Sequence, residues 1–348
     1  LLTKYKVSIE LKVSPMNNRR VIVKVPASTA NLGPGFDSLG MALSLFAWIE
    51  MEKSDTGNTT FQLHGDGMDG LPTDKSNLIY KVAQLVFSEA EVEVPDLHIS
   101  MYSEIPLTRG LGSSASAIIG ALVAANALIG SPLSDDKLFQ MATALEGHPD
   151  NVGASLFGGI VVSAWDGSEA QHVRIEPQES LETLVAIPAF QLSTEKARHA
   201  LPTQISMADA VYNVGRTSLL VAALASGELG LIRHAMKDRL HQPYRAALIP
   251  GMTEILERAT DFGALGAALS GAGPTLIAFV DAASPDKAGL ERFLQATLQK
   301  EGITAETMWL APCKTGPEVT IEELSAGSDP LSGKRISLLE RIKGEVKA

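Results

Sequence analysis

Residues 104–126 read EIPLTRGLGSSASAIIGALVAAN, and the organisation of the chain follows from them. Just upstream, Leu97, Ile99 and Met101 alternate with polar residues, the period of a half-buried strand. Pro106, Gly110 and Gly112 interrupt any regular pattern. From Ser113 the spacing becomes helical, with Ala115, Ile118, Ile119 and Leu122 on one face. The order is strand, glycine loop, helix. Glycines in such a loop allow φ > 0 and let a second molecule approach the backbone. The first N–H groups of the helix have no partner within it, and the helix dipole adds positive charge there. Together these features suit a phosphate group. Ser113 and Ser114 have the chemistry to cap the helix, donate to a phosphate oxygen or ligate a divalent cation. No lysine follows the glycines, so this is not a Walker A loop. Taken alone, the same turn also fits a connection that binds nothing.

Upstream, residues 21–25 (VIVKV) read as a short buried strand. Residues 26–40 (PASTANLGPGFDSLG) carry two prolines and three glycines which, with Ser28, Thr29 and Asn31, forbid regular structure over most of their length. Such a loop inside a compact domain is often functional. Asn31 and Asp37 are its candidates for gripping a small polar ligand, against the alternative of a structural loop. Residues 45–51 predict a strand, 55–58 a turn and 77–89 a helix. Downstream, Pro132 breaks the central helix and Ser134 opens another, which ends near Glu146. That helix empties into Glu146-Gly147-His148-Pro149-Asp150-Asn151, a tight turn dense in polar groups. Phosphoryl transfer needs such groups: a carboxylate for the cation and side chains to orient the accepting hydroxyl. The plainer reading is that Asp150 and Asn151 only form the turn.

Residues 157–162 predict a strand entered through a glycine pair, and a polar stretch at 165–169 marks a domain boundary. The second part opens with strand-like segments at 173–175 and 185–187. Ser193 or Thr194 then caps a helix with Glu195 in its first turn, and a long helix is expected over residues 206–225. Residues 252–262 predict another helix. Residues 263–280 read as strand, glycine turn (SGAGP, 270–274), strand, with a helix over 285–298 and a strand over 306–310 closing an α+β domain.

With 348 residues, 45% hydrophobic and 20% charged, the chain has the composition of two globular domains. Only 5% is aromatic, so the core is expected to be aliphatic. A net charge of −11 argues against a nucleic-acid-binding role. Cys313 is the single cysteine, which excludes an internal disulfide and a cysteine-based zinc site. The longest apolar run, 117–130, matches a buried helix and is too short to span a bilayer. No membrane association and a cytoplasmic location are expected. Residues 1–18 read as an N-terminal extension, with Met16 as a start. Residues 317–348 read as a charged tail, with an amphipathic helix over 336–346.

PASTANLGPGFDSLG, the GLGSS loop and SGAGPT stand in one order along the chain, accompanied by EGHPDN and TEKAR. This set resembles the GHMP small-molecule kinases, above all the branch that acts on homoserine, over residues 21–310. The resemblance implies an α+β fold of two domains, 19–168 and 169–316. The first would be like ribosomal protein S5 domain 2 and the second ferredoxin-like. It implies ATP over Ile105, Pro106, Leu107, Thr108, Arg109, Gly110, Leu111, Gly112, Ser113, Ser114 and Ala115. It implies Mg2+ on Ser114, or Ser113, and Glu146. L-homoserine would lie between the domains, its carboxylate on Arg198 and Arg245, with Asn31, Asp37, His148 and Asn151 about its amino and hydroxyl ends. Glu146, Asp150 and Asn151 would serve catalysis, Asp150 either as general base or as a positioning group. The product would be O-phosphohomoserine, on the route to threonine, and a homodimer is implied. The residues agree: paired guanidiniums suit a carboxylate, and Asp37 suits an ammonium. Another GHMP kinase, such as a mevalonate or diphosphocytidyl-methylerythritol kinase, and a non-catalytic metabolite sensor on the same scaffold are the alternatives.

Overall fold

The computed structural model describes residues 16, 19–324 and 337–345. The proposed extension 1–18 therefore lies outside the described residues, apart from Met16. The chain opens with strands β1 (Arg19–Ala30), β2 (Leu39–Lys53) and β3 (Thr60–His64), then helix α1 (Leu78–Glu89) and strand β4 (Leu97–Ser103). Three helices follow: α2 (Ser113–Leu128), α3 (Asp135–Glu146) and α4 (Asp150–Phe157). Strands β5 (Ile160–Trp165) and β6 (Ala170–Ile175) complete the first half of the chain.

These strands form one sheet in the order β11-β1-β2-β4-β3, where β11 (Glu318–Glu323) returns from the far end of the chain. Strands β5 and β6 branch from the start of β2, and only β3–β4 is parallel. In β1 the period of two is plain. Val21, Val23 and Val25 join the main core, while Ile22 faces the opposite side with Trp48. Helix α2 is apolar nearly all round and sits at the centre of that core. A Cβ on its Gly120 would lie 2.5 Å from Ile49 Cδ1, so the missing side chain lets helix and sheet touch.

The second half begins with β7 (Leu181–Pro188), α5 (Thr194–His199) and the long α6 (Met207–Ser226). The short turns α7 (Ile232–Ala235) and α8 (Gln242–Arg245) follow, then α9 (Met252–Arg258). Strands β8 (Ala264–Leu269) and β9 (Leu276–Asp281), helix α10 (Lys287–Lys300) and strand β10 (Ala305–Leu310) close the unit. Its four strands are all antiparallel in the order β10-β7-β9-β8, the ferredoxin-like arrangement. Both faces are covered. Leu184, Leu276 and Ala278 pack under α9 and α10, while Val185, Ile277 and Phe279 meet Leu220, Leu224 and Ile232. This latter face runs without a break into the core of the first sheet. Among the described residues, no helix is long and apolar enough to cross a membrane.

Several expectations need correction. Residues 26–30 (PASTA) do not leave the sheet. β1 absorbs Pro26 through a register shift between Pro26 and Ala27. The boundary placed at 168 falls inside the first sheet, because Ala170–Ile175 pairs with β5, and the second sheet starts only at Leu181. The segment at 173–175 thus belongs to the first unit. The charged tail of 317–348 also contributes structure. β11 pairs with β1 over Arg19↔Glu323 to Lys24↔Glu318, and its glutamates face basic partners there. Helix α11 (Leu338–Glu345) lies over the outer face of the sheet, with Leu338 and Ile342 against Ile22 and Trp48.

Candidate active site

A cavity of about 350 Å³ opens where the two units meet. The glycine loop forms its floor. Gly112 is the N-cap of α2 in a left-handed conformation (φ 71°), so neither Ser113 nor Ser114 caps the helix, contrary to one expectation. Both lie in the first turn, with no side chain from the N-cap covering the N–H groups there. A Cβ on Gly110 (φ +82°) would sit 2.3 Å from the Ser270 carbonyl oxygen. That contact explains the second glycine turn. Ser270 Oγ donates to the Gly110 carbonyl at 2.6 Å, Thr275 N to that of Arg109 at 3.2 Å and Gly271 N to that of Ala30 at 3.2 Å. The SGAGPT turn therefore clasps the first loop from the other unit. Of the eleven residues expected along the nucleotide, Leu107, Thr108, Arg109, Gly110, Gly112, Ser113 and Ser114 line the cavity. Ile105, Leu111 and Ala115 are buried in the core, and Pro106 does not reach the cavity.

Opposite the loop stands the polar cluster. Glu146 ends α3, and Gly147 turns the chain in a left-handed C-cap. The tight turn expected over Asp150 and Asn151 is shorter, since Asp150 already starts α4. Ser114 Oγ donates to Glu146 Oε2 at 3.0 Å across the gap between α2 and α3. Asp150 is 2% exposed, and its Oδ1 lies 2.7 Å from both His148 Nδ1 and the Asn151 N–H. Ser28 Oγ donates to Asn151 Oδ1 at 3.0 Å. Burial opposes charging the His148 imidazole. The hydrogen bond and charge of Asp150, with Glu146 and Asp37 beyond, outweigh it and raise the pKa above the ordinary value.

The third group comes from the loop after β1 and from the second unit. Asn31 (φ 68°) and Asp37 (φ 55°) occupy left-handed positions rare for residues with side chains. The Asn31 amide is engaged at both ends. Its Oδ1 accepts from Asp37 N at 3.0 Å and its Nδ2 donates to Gly271 O at 3.0 Å, so it holds the loop to the glycine turn. The two arginines are unequal. Arg198, on α5, makes a bidentate pair with Asp37 at 2.8 and 3.0 Å, and this hydrogen bond raises its pKa despite partial burial. Arg245, on α8, is 2% exposed and has no carboxylate within hydrogen-bond reach among the described residues. Its Nε donates to Ala197 O at 3.1 Å and its Nη1 lies 3.2 Å from both Gly271 O and His241 Nδ1. Burial and the neighbouring Arg198 charge lower its pKa to about 10. The Phe36 ring lies against both guanidiniums, 5.6 Å from that of Arg198 and 5.3 Å from that of Arg245.

The cavity thus gathers Asn31, Asp37, His148, Asn151, Arg198 and Arg245 together with Glu146 and Asp150. Asp37, His148 and Asp150 place ligand atoms within 4.8 Å of one another, but Arg198 already occupies both oxygens of Asp37. Sequence reasoning missed most of the apolar end of the cavity, where Leu63, Met68, Leu71, Leu78 and Met101 join the expected Leu107. These residues come from β3, a short turn, α1, β4 and the glycine loop. No local pattern marks them as a set.

The family model described as "GHMP kinases N terminal domain" matches residues 77–159, and that described as "GHMP kinases C terminal" matches residues 220–296. A homoserine kinase of Moorella thermoacetica is 45% identical over 298 residues, 86% of this chain and 99% of the relative. One from Deinococcus radiodurans is 43% identical, covering 83% and 94%. The crystal structure of homoserine kinase from Cytophaga hutchinsonii superposes with a TM-score of 0.79 at 27% identity, covering 88% of this chain and 99% of that one. The crystal structure of L. major mevalonate kinase in complex with R-mevalonate shares the fold at a TM-score of 0.63 and 19% identity, covering 86% and 97%. With the identity to the first two sustained over nearly their whole length, the chain belongs to the homoserine kinases, within the GHMP kinase family.

Proposed function

We propose that the protein transfers the γ-phosphoryl group of ATP to the side-chain hydroxyl of L-homoserine, giving O-phospho-L-homoserine and ADP. The observation that carries the choice of a carboxylate-bearing acceptor is Arg245, with Asp37 nearby for an ammonium. A buried guanidinium with no carboxylate in hydrogen-bond reach among the described residues, on the wall of a phosphate-type cavity, is a receptor waiting for an anion. A neutral sugar gives no reason for it.

In this reading the adenine base enters the apolar end between Leu63, Met68 and Leu78. The phosphates rest on the N–H groups of Gly110, Gly112, Ser113 and Ser114 at the start of α2. Ser114 and Glu146 supply an all-oxygen donor pair that would hold Mg2+. When bound, that ion would neutralise charge on the transferring group. The substrate carboxylate sits on Arg245 and draws Arg198 from Asp37, whose carboxylate then receives the ammonium. Every charge keeps a partner. The hydroxyl faces Asn151 and His148. Asp150 Oδ1 is already engaged with His148 and the Asn151 N–H, which supports a positioning role for it over that of a general base. Catalysis then rests on orientation and electrostatic stabilisation of a loose transition state.

A cytoplasmic location, a place in threonine biosynthesis and a homodimer are part of the same proposal; sedimentation at micromolar concentration tests the dimer. ADP release across homoserine, mevalonate, galactose and shikimate tests the activity. Turnover with homoserine and none with the others is expected. A preference for mevalonate or galactose, or no Mg2+-dependent turnover with any of them, would overturn it.

A further inference from the structure

We infer that His241 is a positioning residue for amino-acid binding, a neutral imidazole that fixes the Arg245 guanidinium and ties it to the loop carrying Asp37. The inference rests on the reading that Arg245 takes the substrate carboxylate.

His241 is fully buried, at the N-cap of α8. Its two ring nitrogens face partners of opposite kind. Nε2 lies 2.7 Å from the Gly33 carbonyl oxygen, which only accepts, so Nε2 carries the hydrogen. Asp238 Oδ2, 3.6 Å from the same nitrogen, is a second acceptor on that side. Nδ1 lies 3.2 Å from Arg245 Nη1, which only donates, so Nδ1 presents its lone pair. One tautomer of the uncharged ring satisfies both sides. An imidazolium would turn an N–H toward a guanidinium N–H. Burial, the largest influence on the ring, favours the uncharged form, and Arg245 adds to it, against the opposing charges of Asp238 and Asp37.

The ring is itself held on three sides. Asp238 accepts from the N–H groups of Leu240, His241 and Gln242 and so shapes the turn into α8. Phe36 stacks on the imidazole with centroids 5.0 Å apart and planes 23° apart, and the same Phe36 lies against Arg198 and Arg245. Gly33 sits in a left-handed conformation (φ +89°) four residues before Asp37. Arg245, the carboxylate receptor, and Asp37, the ammonium receptor, are thereby linked through one ring: Arg245 to His241, His241 to Gly33, Gly33 to the loop. With the carbonyls of Ala197 and Gly271, the ring leaves the guanidinium a single orientation before substrate arrives.

Two near-isosteric variants separate the links. The amide oxygen in His241→Asn stands near Nδ1 and keeps an acceptor for Arg245. The amide nitrogen in His241→Gln stands near Nε2 and keeps a donor for Gly33. Homoserine is titrated at saturating ATP, and ATP at saturating homoserine, with the full chain. His241→Gln is expected to raise the homoserine KM about tenfold or more, the loss of one hydrogen bond to a charged group. The kcat and the KM for ATP should stay within about twofold, and His241→Asn should recover most of the homoserine affinity. A normal homoserine KM in His241→Gln, an equal rise in both KM values, or no recovery in His241→Asn would overturn the inference. Arg245→Ala run alongside separates the two readings. If it raises the homoserine KM while His241→Gln does not, the carboxylate site stands and the role of His241 falls. If Arg245→Ala has no effect, the carboxylate reading itself fails. Nitrogen-15 NMR of the wild-type ring needs no variant: a protonated Nε2 with a bare Nδ1 is expected, and an imidazolium or the other tautomer at neutral pH would overturn the assignment.

Discussion

Arg198 and Arg245 flank the same phenylalanine, yet burial separates their energetics. Arg198 is partly exposed and paired with Asp37, whereas Arg245 keeps its charge at a pKa lowered to about 10, a cost on the order of 3 kcal/mol. A bound carboxylate recovers part of that cost. Arg245→Ala is therefore expected to raise the homoserine KM by roughly 10- to 100-fold, and Arg198→Ala by less, because it also frees Asp37. Equal effects in steady-state kinetics would show that the pair acts symmetrically. Asp150 makes the second test. If it only positions His148 and Asn151, Asp150→Ala raises the homoserine KM by about tenfold with a smaller fall in kcat. A collapse of kcat at constant KM would make it the base. The same contact has a pH signature. The folded pKa of His148 is raised, so its contribution to stability is full below the ordinary histidine pKa and is lost as pH rises through the raised one. Asp150→Asn should shift the NMR titration of His148 downward. These roles were only partly legible in the sequence. GLGSS, EGHPDN and the two arginines mark a site. That Asp37 would pair with Arg198, that Asn31 would spend its amide on Gly271, and that His241 would matter depend on contacts spanning 161, 240 and 208 residues.

At the scale of elements, legibility follows from how local the cause is. Helices α3, α5 and α6 are announced by Ser134, Ser193 and Ser206, whose side chains accept from the N–H three residues on. Strand β6 looked like the start of a second domain because nothing within Ala170–Ile175 states that β5 is its partner. Strand β11 looked like tail because it is an edge strand rich in glutamate, and Arg19, Arg20 and Lys24 across the ladder, with Arg341 of α11, give those charges a purpose. The glycine loop was legible as a ligand site, but its contact with the SGAGPT turn was not. That contact yields a prediction. Gly110→Ala forces a Cβ to 2.3 Å from Ser270 O at φ +82°, whereas Gly57→Ala at φ +72° meets nothing within 4 Å. Gly57→Ala should cost about 1 kcal/mol. Gly110→Ala should cost on the order of 3 kcal/mol, lower Tm by roughly 5 °C or more and raise the KM for ATP. Matching melting curves for the two variants would mean that the two loops do not bear on each other.

The molecule as a whole is a cleft between two sheets that share one core, so the apolar cluster reaching from Val21 to Phe279 ties the units into one body. The outer face of the first sheet depends on a separate device. Ile22 and Trp48 are 5% and 6% exposed only because Leu338 and Ile342 of α11 cover them, with Phe46 and Tyr102 at the rim. Burying two such aliphatic side chains contributes roughly 3–6 kcal/mol before the entropy of ordering the helix is subtracted. None of the cavity-lining residues belongs to this patch. Ending the chain after Leu324 should thus separate stability from chemistry. Tm is expected to fall by about 5–10 °C, and Trp48 emission to shift to the red as the indole meets water. The kcat and both KM values should remain within about twofold at 25 °C. Leu338→Asp in the full chain should reproduce the thermal loss without shortening the protein, since a carboxylate cannot be buried on an apolar face without a partner. If Trp48 emission stays unchanged in both proteins, α11 does not seal the sheet in solution. If catalysis falls in step with Tm, the outer face and the cleft are coupled through β1, which leads from Ile22 to Asn31, or through β4, whose Met101 lines the cavity beside Tyr102 at the rim of the patch.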